Sequence, residues 1–583
     1  MFTLDPTQDL TEQVVAFARD HAAALVEQAQ FGAGEYTRQR LAACATSEVW
    51  LMSWLPGQST SIHDHGGSVV VTVVLAGELF EEQFDHVAGD AVVLARTAVR
   101  PAGDVDRADA SMIHRVSART GPAISLHLYA PYNNENVRTY TQVQRTKLDA
   151  QVIVIGGGFC GAMTAAHLAA RGLDTLVLEP GPLGRGLAYA DGPANLLLNT
   201  PAWAMSALPD RPDDFTDWLA ARGERHVFAP RARYGDYLRE RIAQLSASAP
   251  LAVAETRAID VARTAHGFAV LCEDGTLRRA QTLVLALGNA PPRTPHVLRG
   301  YGAYRADPYG AAMDLPADDT PLALLGSGLT ALDVVATLRA RGHRGKLTIV
   351  SRRGLVPATH PGARPTDTAV VPRELIVRPR LASLLAWWRA SSHASITARV
   401  DALRPHLAAL WRGLSPADRV RFVRHVRPHW ETVRHRAPAP VREVFDAGIA
   451  DGSIELLAGR LAGAELARTG LRIRFVDRDG RDQVRDVGAL INCTGPERDV
   501  ARQPSPLVRA LVARGLVTAD ALGLGVTTDL HGAASPGLYV VGPWRIADLW
   551  ESTAVGELRA HAADTATAIA DALVIPVVEA AIA

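Results

Sequence analysis

Apolar residues recur at nearly helical spacing near the start of the chain, at Leu10, Val14, Val15, Phe17, Ala18 and Leu25, which predicts leading helix within residues 1 to about 35. From Glu48 to Tyr132 the period shortens. Runs such as Val49-Trp50-Leu51-Met52 and Val69-Val70-Val71-Thr72-Val73-Val74-Leu75 are separated by Gly57, Gly66-Gly67, Gly77, Gly89 and Gly103. Short β-rich runs punctuated in this way predict a sandwich or small barrel. The polar stretch Thr139 to Leu148 has no apolar period and little to bury, so it reads as a linker; the domains are expected over 1–140 and 150–583, joined by 141–149.

Beyond residue 150 the pattern becomes strand, glycine turn, helix, twice over. Gln151-Val-Ile-Val-Ile155 runs into Gly156-Gly157-Gly158-Phe-Cys-Gly161, a helical stretch through Leu168, and the strand Thr175-Leu-Val-Leu178 ending in Glu179. The second unit, about 318–372, repeats the design with Pro321-Leu-Ala-Leu-Leu325, Gly326-Ser-Gly328-Leu-Thr-Ala331, a helix through Leu338 and Leu347-Thr-Ile-Val350. A helical insertion is expected over about 374–440, with Trp387, Trp388, Trp411 and Trp430; Ser415-Pro416-Ala417-Asp418 is a helix start. The chain returns to α/β texture from Leu490 and closes with a helix around Ala554 to Leu573.

Composition narrows the function classes. With 583 residues, the chain has room for several cores. Lys+Arg and Asp+Glu are both 61, which supplies no global drive toward nucleic acid or an anionic membrane. The four cysteines, Cys44, Cys160, Cys272 and Cys493, have neither metal-type nor CxxC spacing, so a disulfide framework or a disulfide reductase is disfavoured. Acidic residues among the first twenty and the lack of an apolar run of about 18 residues argue against a secretory signal or a membrane span, and a soluble cytoplasmic protein is expected. Oligomeric state is not readable.

The chemistry begins with His63-Asp-His65. Two imidazoles two residues apart share one face of a strand, and His114 from another strand would complete a facial set of three nitrogen ligands. Such a set leaves half an octahedral ferrous ion, Fe(II), open to substrate and dioxygen. The spacing of Gly57, His63, His65, position 70 and Gly77 resembles the first cupin signature, with Val70 where that signature carries an acid. Over roughly residues 30–135 the chain resembles the cysteine dioxygenase family, through Tyr36-Thr37-Arg38, His63-Asp-His65, His114-Arg115-Val116 and Ser125-Leu-His127-Leu-Tyr129-Ala-Pro. The resemblance implies that His63, His65 and His114 hold Fe(II), and that Arg38, with Tyr36, grips a substrate carboxylate. It further implies that Ser125, His127 and Tyr129 form a relay beside the metal. Animal members place at position 70 a cysteine that crosslinks to the relay tyrosine; Val70 predicts an unmodified Tyr129. Arg40 competes with Arg38 for the carboxylate role.

The glycine loop after residue 155 removes side chains where backbone must approach a pyrophosphate at a helix N-terminus, so Gly156, Gly158 and Gly161 are candidate FAD contacts, with Glu179 for the ribose hydroxyls. At the second loop, Gly326 and Gly328 are candidate nicotinamide-cofactor contacts. The strand there ends in Ser351-Arg352-Arg353 without an acid, and two arginines suit a 2′-phosphate, which favours NADPH. Hydrophobic strands closing on Gly288, on Gly495 and on Gly542 complete a chain that resembles the FAD/NAD(P)-binding oxidoreductase superfamily, and Asn199 in Leu198-Asn199-Thr-Pro201 is a candidate flavin contact. His425, His429 and His435 alternate with Arg421, Arg424, Arg427, Arg434 and Arg436 and read as a solvated basic face.

The expected fold is therefore multidomain: an all-β cupin barrel with leading helices, then an α/β two-dinucleotide-binding, Rossmann-type flavoprotein with a helical insertion. The expected function is bifunctional, with dioxygenation of the L-cysteine thiol to cysteine sulfinate and an FAD- and NADPH-dependent step on that product or a relative. Three alternatives stand beside it. The flavoprotein reduces and maintains the iron centre, or it is an N- or S-monooxygenase of secondary metabolism, or the whole chain senses cysteine or redox state without turnover.

Overall fold

Asp9 starts the leading helix: its Oδ1 accepts from the backbone N–H of Thr11 at 2.8 Å and of Glu12 at 3.2 Å, satisfying donors a helix end leaves free. The helix, α1, spans Leu10–Glu27 and buries Val14, Ala18 and Leu25. The computed structural model describes residues 5, 9–132, 136–142, 148–190, 195–247, 250–309, 319–364 and 366–574. These fall into two units. The first holds Met1–Asp149 with 260–271 and 275–280, and the second holds the rest.

Ten strands build most of the first unit: β1 (Thr37–Ala43), β2 (Glu48–Trp54), β3 (Ile62–His63), β4 (Val69–Ala76), β5 (Glu78–Ala88), β6 (Ala91–Pro101), β7 (Val105–Ala108), β8 (Ile113–Ser117), β9 (Ala123–Ala130) and β10 (Thr139–Gln142). They form one sheet in the order β1-β2-β9-β4-β7 and a closed set β10-β3-β8-β5-β6. Strand alternation sorts the first sheet's two faces. Val49 and Leu51 of β2, Val71 and Val73 of β4, and Ile124, Leu126 and Leu128 of β9 share a core with α1. The residues between them, Met52, Trp54 and Val74, pack in a second cluster with Leu79 and Val116. Ser125, His127 and Tyr129 thus occupy the face opposite Ile124, Leu126 and Leu128. A one-residue slip of β9 would turn these three apolar side chains to the face of the polar groups and bring Ser125 and His127 against α1, which pins the register.

β10 corrects the linker reading. Thr139 and Tyr140 pair with His63 and Ile62, and Thr141 and Gln142 pair in parallel with Ala91 and Val92. Polar contacts rather than apolar pattern hold this segment: Tyr140 Oη donates to Asp64 Oδ2 at 2.8 Å, and the Arg138 N–H to Asp64 Oδ1 at 2.9 Å. Residues 143–147 of the expected linker lie outside the described residues.

In the second unit β11 (Ala150–Ile155), α2 (Phe159–Ala169) and β12 (Thr175–Leu178) form the first strand–turn–helix–strand unit, with β11 and β12 parallel and in register from Val152↔Thr175 to Ile155↔Leu178. Leu283–Leu285 run parallel to Leu538–Val540, and Val152, Val154, Ala165, Val284 and Ile569 share one core. A second parallel set places Leu322–Leu325 between Leu347–Ser351 and Ala489–Asn492, with the helix Leu329–Ala340 packed on it through Val334, Val335 and Leu338. Helices from Arg373–Val377 to Arg427–Arg434 make a further layer, where Trp387, Trp411 and Trp430 join Trp550 in one core. Ser415 caps its helix through the Asp418 N–H at 3.1 Å. Among the described residues, no helix is long and apolar enough to cross a membrane.

Candidate active sites

Antiparallel pairing of β3 with β8 sets His63 directly opposite His114, and one nitrogen from each of His63, His65 and His114 lies within 4.8 Å of the others. Each ring's Nδ1 is already engaged: His63 with Ser61 O at 2.9 Å, His65 with Asp109 O at 3.2 Å, and His114 with Glu81 Oε1 at 2.8 Å. Burial, reinforced by the neighbouring imidazoles, holds His63 and His65 down to about 4, so both are neutral at ordinary pH. With Nδ1–H donating outward, each Nε2 is left as a lone pair. His65 Nε2 and His114 Nε2 stand only 3.0 Å apart. Two such acceptors repel unless a cation or shared proton lies between them, and outer partners that fix the tautomer are the usual companions of metal-ligating histidines. These residues fit a divalent metal.

Glu81 escaped the sequence reading. It is 3% exposed and divides its carboxylate between His114 and Arg100, whose Nη2 lies 2.8 Å from Oε2. Burial alone would raise its pKa, but the hydrogen bonds of His114 and Arg100 outweigh it and hold the carboxyl at about 2. Its strand, Glu78–Ala88, carries several other polar residues, so this acid had no signal of its own in the sequence.

A cavity of about 170 Å³ opens beside the three histidines, lined also by Tyr36, Arg38, His127 and Tyr129. Cross-strand pairing explains the grouping: Arg38 pairs with Met52, and Met52 with Ser125, so all three share one face. The Arg38 guanidinium lies 4.7 Å above the Trp50 ring, while Tyr36 stacks on Trp54 at 4.3 Å. Arg40 is tied to Glu48 at 2.9 Å, leaving Arg38 as the arginine of the cavity. Ser125 Oγ links Trp54 Nε1 at 3.0 Å to His127 Nε2 at 2.8 Å, and Thr72 Oγ1 meets His127 Nδ1 at 3.1 Å. Burial, with the charges of His114 and Arg38, keeps His127 neutral with a pKa of about 3, and burial pushes Tyr129 up to about 12. The His127 and Tyr129 rings lie 6.4 Å apart and nearly parallel. Val70 sits opposite Tyr129 in the β4–β9 register, offering it no sulfur.

In the second unit the turn between β11 and α2 is closed to side chains. A Cβ on Gly161 would fall 1.8 Å from Gly156 O, and Gly158 caps α2 without a side chain. The bare helix N-terminus is a cradle for a pyrophosphate. Glu179, just after β12, accepts from the Gly157 N–H at 2.6 Å and the Gly181 N–H at 2.9 Å. Gly288 follows the strand Leu277–Leu285, and Gly542 precedes the short helix Pro543–Ala547. Cys160, in the first turn of α2, is a packing residue whose thiol burial pushes up to about 12. Asn199 lines a cavity of about 220 Å³ together with Tyr189, Trp203, Arg231, His360 and Arg436.

The second glycine turn repeats the design. A Cβ on Gly326 would meet Cys493 O at 2.3 Å, and Gly328 caps the following helix. Ser351, at the end of its strand, bonds Ser327 Oγ at 2.7 Å where an acid would stand in an NAD site. Arg352 and Arg353 line a cavity of about 590 Å³ with Arg424, Arg427 and Arg460. Its acidic member Glu431 is held by Arg427 at 2.8 Å.

The basic run expected to be solvated is divided instead. Arg424 and Arg427 face this second cavity, while His435 and Arg436 enter the one beside Asn199. The helix Arg427–Arg434 ends before them, so they leave its exposed face.

Residues 8–143 match the sequence profile of cysteine dioxygenase type I, and residues 153–290 match the one described as FAD-NAD(P)-binding. Among solved structures, an ornithine N-hydroxylase of Kutzneria sp. 744, solved with FAD, NADP+ and L-ornithine, is similar at a TM-score of 0.50 and 15% identity, covering 73% of this chain and 99% of that one. An ornithine hydroxylase of Pseudomonas aeruginosa gives 0.49 and 16%, covering 73% and 99%. At such identity the likeness is one of fold. No curated protein matches the chain. A cupin-like β region, two glycine cradles on parallel sheets and two profile matches lead to one assignment: the chain fuses a region that matches cysteine dioxygenase type I to one that matches FAD/NAD(P)-binding oxidoreductases.

Proposed function

We propose that the first unit is an Fe(II)-dependent thiol dioxygenase that converts L-cysteine to cysteine sulfinate, and that the second unit, holding FAD and reduced by NADPH, acts on that product or a close relative. The observation that carries the reading is the set of three imidazoles whose outward nitrogens are all engaged and whose inward nitrogens converge beside Arg38. When bound, ferrous iron supplies a place for thiolate and dioxygen to meet, and both oxygen atoms pass to sulfur, RSH + O2 giving RSO2H with no external reductant.

The chain's own residues orient and protonate. Arg38 presents a planar fork to the substrate carboxylate, steadied by Trp50, and a cavity this small suits an amino acid rather than a peptide. Val70 leaves the metal site without a carboxylate ligand, so a bound thiolate supplies the negative charge. His127, neutral and held by Ser125 and Thr72, supports the wall on which Tyr129 keeps its phenolic proton at every physiological pH. The glycine cradle of α2 holds FAD, and Arg352 and Arg353 favour the 2′-phosphate of NADPH.

Mass spectrometry of products from cysteine and oxygen, with and without NADPH, tests both halves. Sulfinate is expected without NADPH, and a further product only with it. His65→Ala should abolish metal binding and sulfinate while keeping the flavin; cysteine-dependent oxygen uptake by that variant would defeat the ligand assignment. If NADPH merely prolongs sulfinate formation, the flavin unit serves the iron. A second reading for that unit, N- or S-oxygenation, is favoured by the lack of a CxxC pair for disulfide chemistry in a fold shared with an ornithine N-hydroxylase.

A further inference from the structure

The cavity beside Asn199 contains a charge that the fold leaves without a counter-ion. Arg436 is 6% exposed, its Nη1 donates to Thr397 Oγ1, and its Nε has no partner. Among the described residues, no carboxylate oxygen stands within 4 Å of this guanidinium. The other arginines of the cavity are matched: Arg231 with Asp333 at 2.6 Å, Arg404 with Glu557 at 2.8 Å, Arg434 with Glu551 at 3.0 Å. Asp401, the acid whose charge Arg436 feels, lies 4.0 Å from Arg404. Burying a cation without a paired anion is costly, and a fold keeps such a group where a ligand completes it.

The surroundings supply the rest of an acid-binding site. Ala437–Pro438 pairs in parallel with Thr359–His360, which brings the two segments together, and Arg436 and His360 both line the cavity, the charge of Arg436 bearing on the ring. His360 Nδ1 accepts from the Gly362 N–H at 3.0 Å, so the ring's proton sits on Nε2 as a donor, and burial keeps the ring neutral, at about 4. Trp203 Nε1 fixes the same turn through Gly362 O at 2.9 Å. Asn199 and Thr200 add an amide and a hydroxyl to the wall. No residue of the loop Gly156–Gly161 lines this cavity, so the missing anion is not assigned to the pyrophosphate cradled there.

We infer that Arg436, with His360, binds the acidic group of the second unit's substrate, a small carboxylate or sulfinate of amino-acid size. The inference rests on the reading of that unit as a flavin enzyme acting on a small oxidised-sulfur amino acid, and narrows it to recognition through the acid. Removing an unpaired buried charge does not destabilise the empty protein, so a ligand-binding role and a structural one part company in a melting experiment.

The test uses the full-length flavin-loaded protein without NADPH, titrated with cysteine sulfinate, with hypotaurine, which has only the sulfinate, and with alanine, which has only the carboxylate. Melting temperature and flavin absorbance are the readouts. At least one acid should raise the melting temperature and perturb the flavin saturably. Arg436→Gln should weaken that response at least tenfold while flavin content and the ligand-free melting temperature hold, and Arg436→Lys should restore part of it. The proposal is overturned if no acid acts on the wild type, if Arg436→Gln responds like the wild type, or if the variant loses FAD, which would make the missing anion the cofactor's own. Sulfinate formation by the first unit is measured in the same samples. If alanine binds through Arg436 and both sulfinates do not, the acid site stands while the sulfinate reading of the flavin unit falls.

Discussion

Glu81 lies on the far side of His114 from the site where the three imidazoles converge, and its negative charge is held there by Arg100 as well as by the imidazole. A carboxylate accepting from Nδ1 makes the opposite nitrogen a stronger donor to a metal and fixes the ring. Glu81→Gln keeps the size and one acceptor but loses the charge. Iron affinity, measured by competition with a chelator, is expected to fall about 10–100-fold with flavin content unchanged; an unaltered affinity would show that the carboxylate only fills space. The three histidines were legible because HxH spacing is a strand-face signal and a third imidazole followed. Glu81 was not, because its partner stands 33 residues away and an acid in a strand has no local signature.

The two strand ends that follow the glycine turns differ by one kind of residue. After β12 stands Glu179, which bonds the loop backbone; after Leu347–Ser351 stand Arg352 and Arg353, in a cavity shared with three further arginines. Arg353 is anchored there, donating to Arg424 O at 3.3 Å. Replacing Arg352 and Arg353 by serine removes charge-assisted hydrogen bonds worth together ~1.5–3 kcal/mol, so the KM for NADPH should rise roughly 10–100-fold while that for NADH changes little. Stopped-flow flavin reduction with both cofactors measures it, and equal losses would refute the 2′-phosphate role. Both strand–glycine–helix units could be read from the sequence because pattern, turn and strand-end residue all lie within one short stretch. The helical layer was legible in outline through its tryptophans, but the fate of its basic run was not. Which of Arg424, Arg427 and Arg436 faces which cavity depends on where the helix Arg427–Arg434 ends and on the pairing of Ala437–Pro438 with a strand far away in sequence. The same limit hid β10, whose partners are set by Asp64 rather than by its own periodicity.

For the whole molecule, Lys+Arg and Asp+Glu balance at 61 each, so net-charge repulsion is small near neutrality and pH sensitivity comes from individual buried groups. In the second unit burial lowers His435 to about 3 and His360 and His561 to about 4, and it lowers His167 as well. Unfolded, each titrates near 6.5. Between those values the unfolded chain binds more protons than the folded one, so stability is full above pH 6.5 and is lost as pH falls toward 4. Glu551, raised by burial beside Arg434, acts in the opposite sense above about 4.5, one group against four. Each histidine costs up to about 1.4 kcal/mol per pH unit, and four together at most about 5.5, against a typical total of roughly 5–15 kcal/mol. The melting temperature of the second unit, followed by flavin release, should therefore drop steadily from pH 6.5 to 5. His435→Gln should flatten that slope by at least about a quarter, the share of one histidine in four. A melting temperature that stays level across this interval would mean that these rings take up protons without unfolding, and that the cavity around Arg436 and His360 is wetter than its packing indicates.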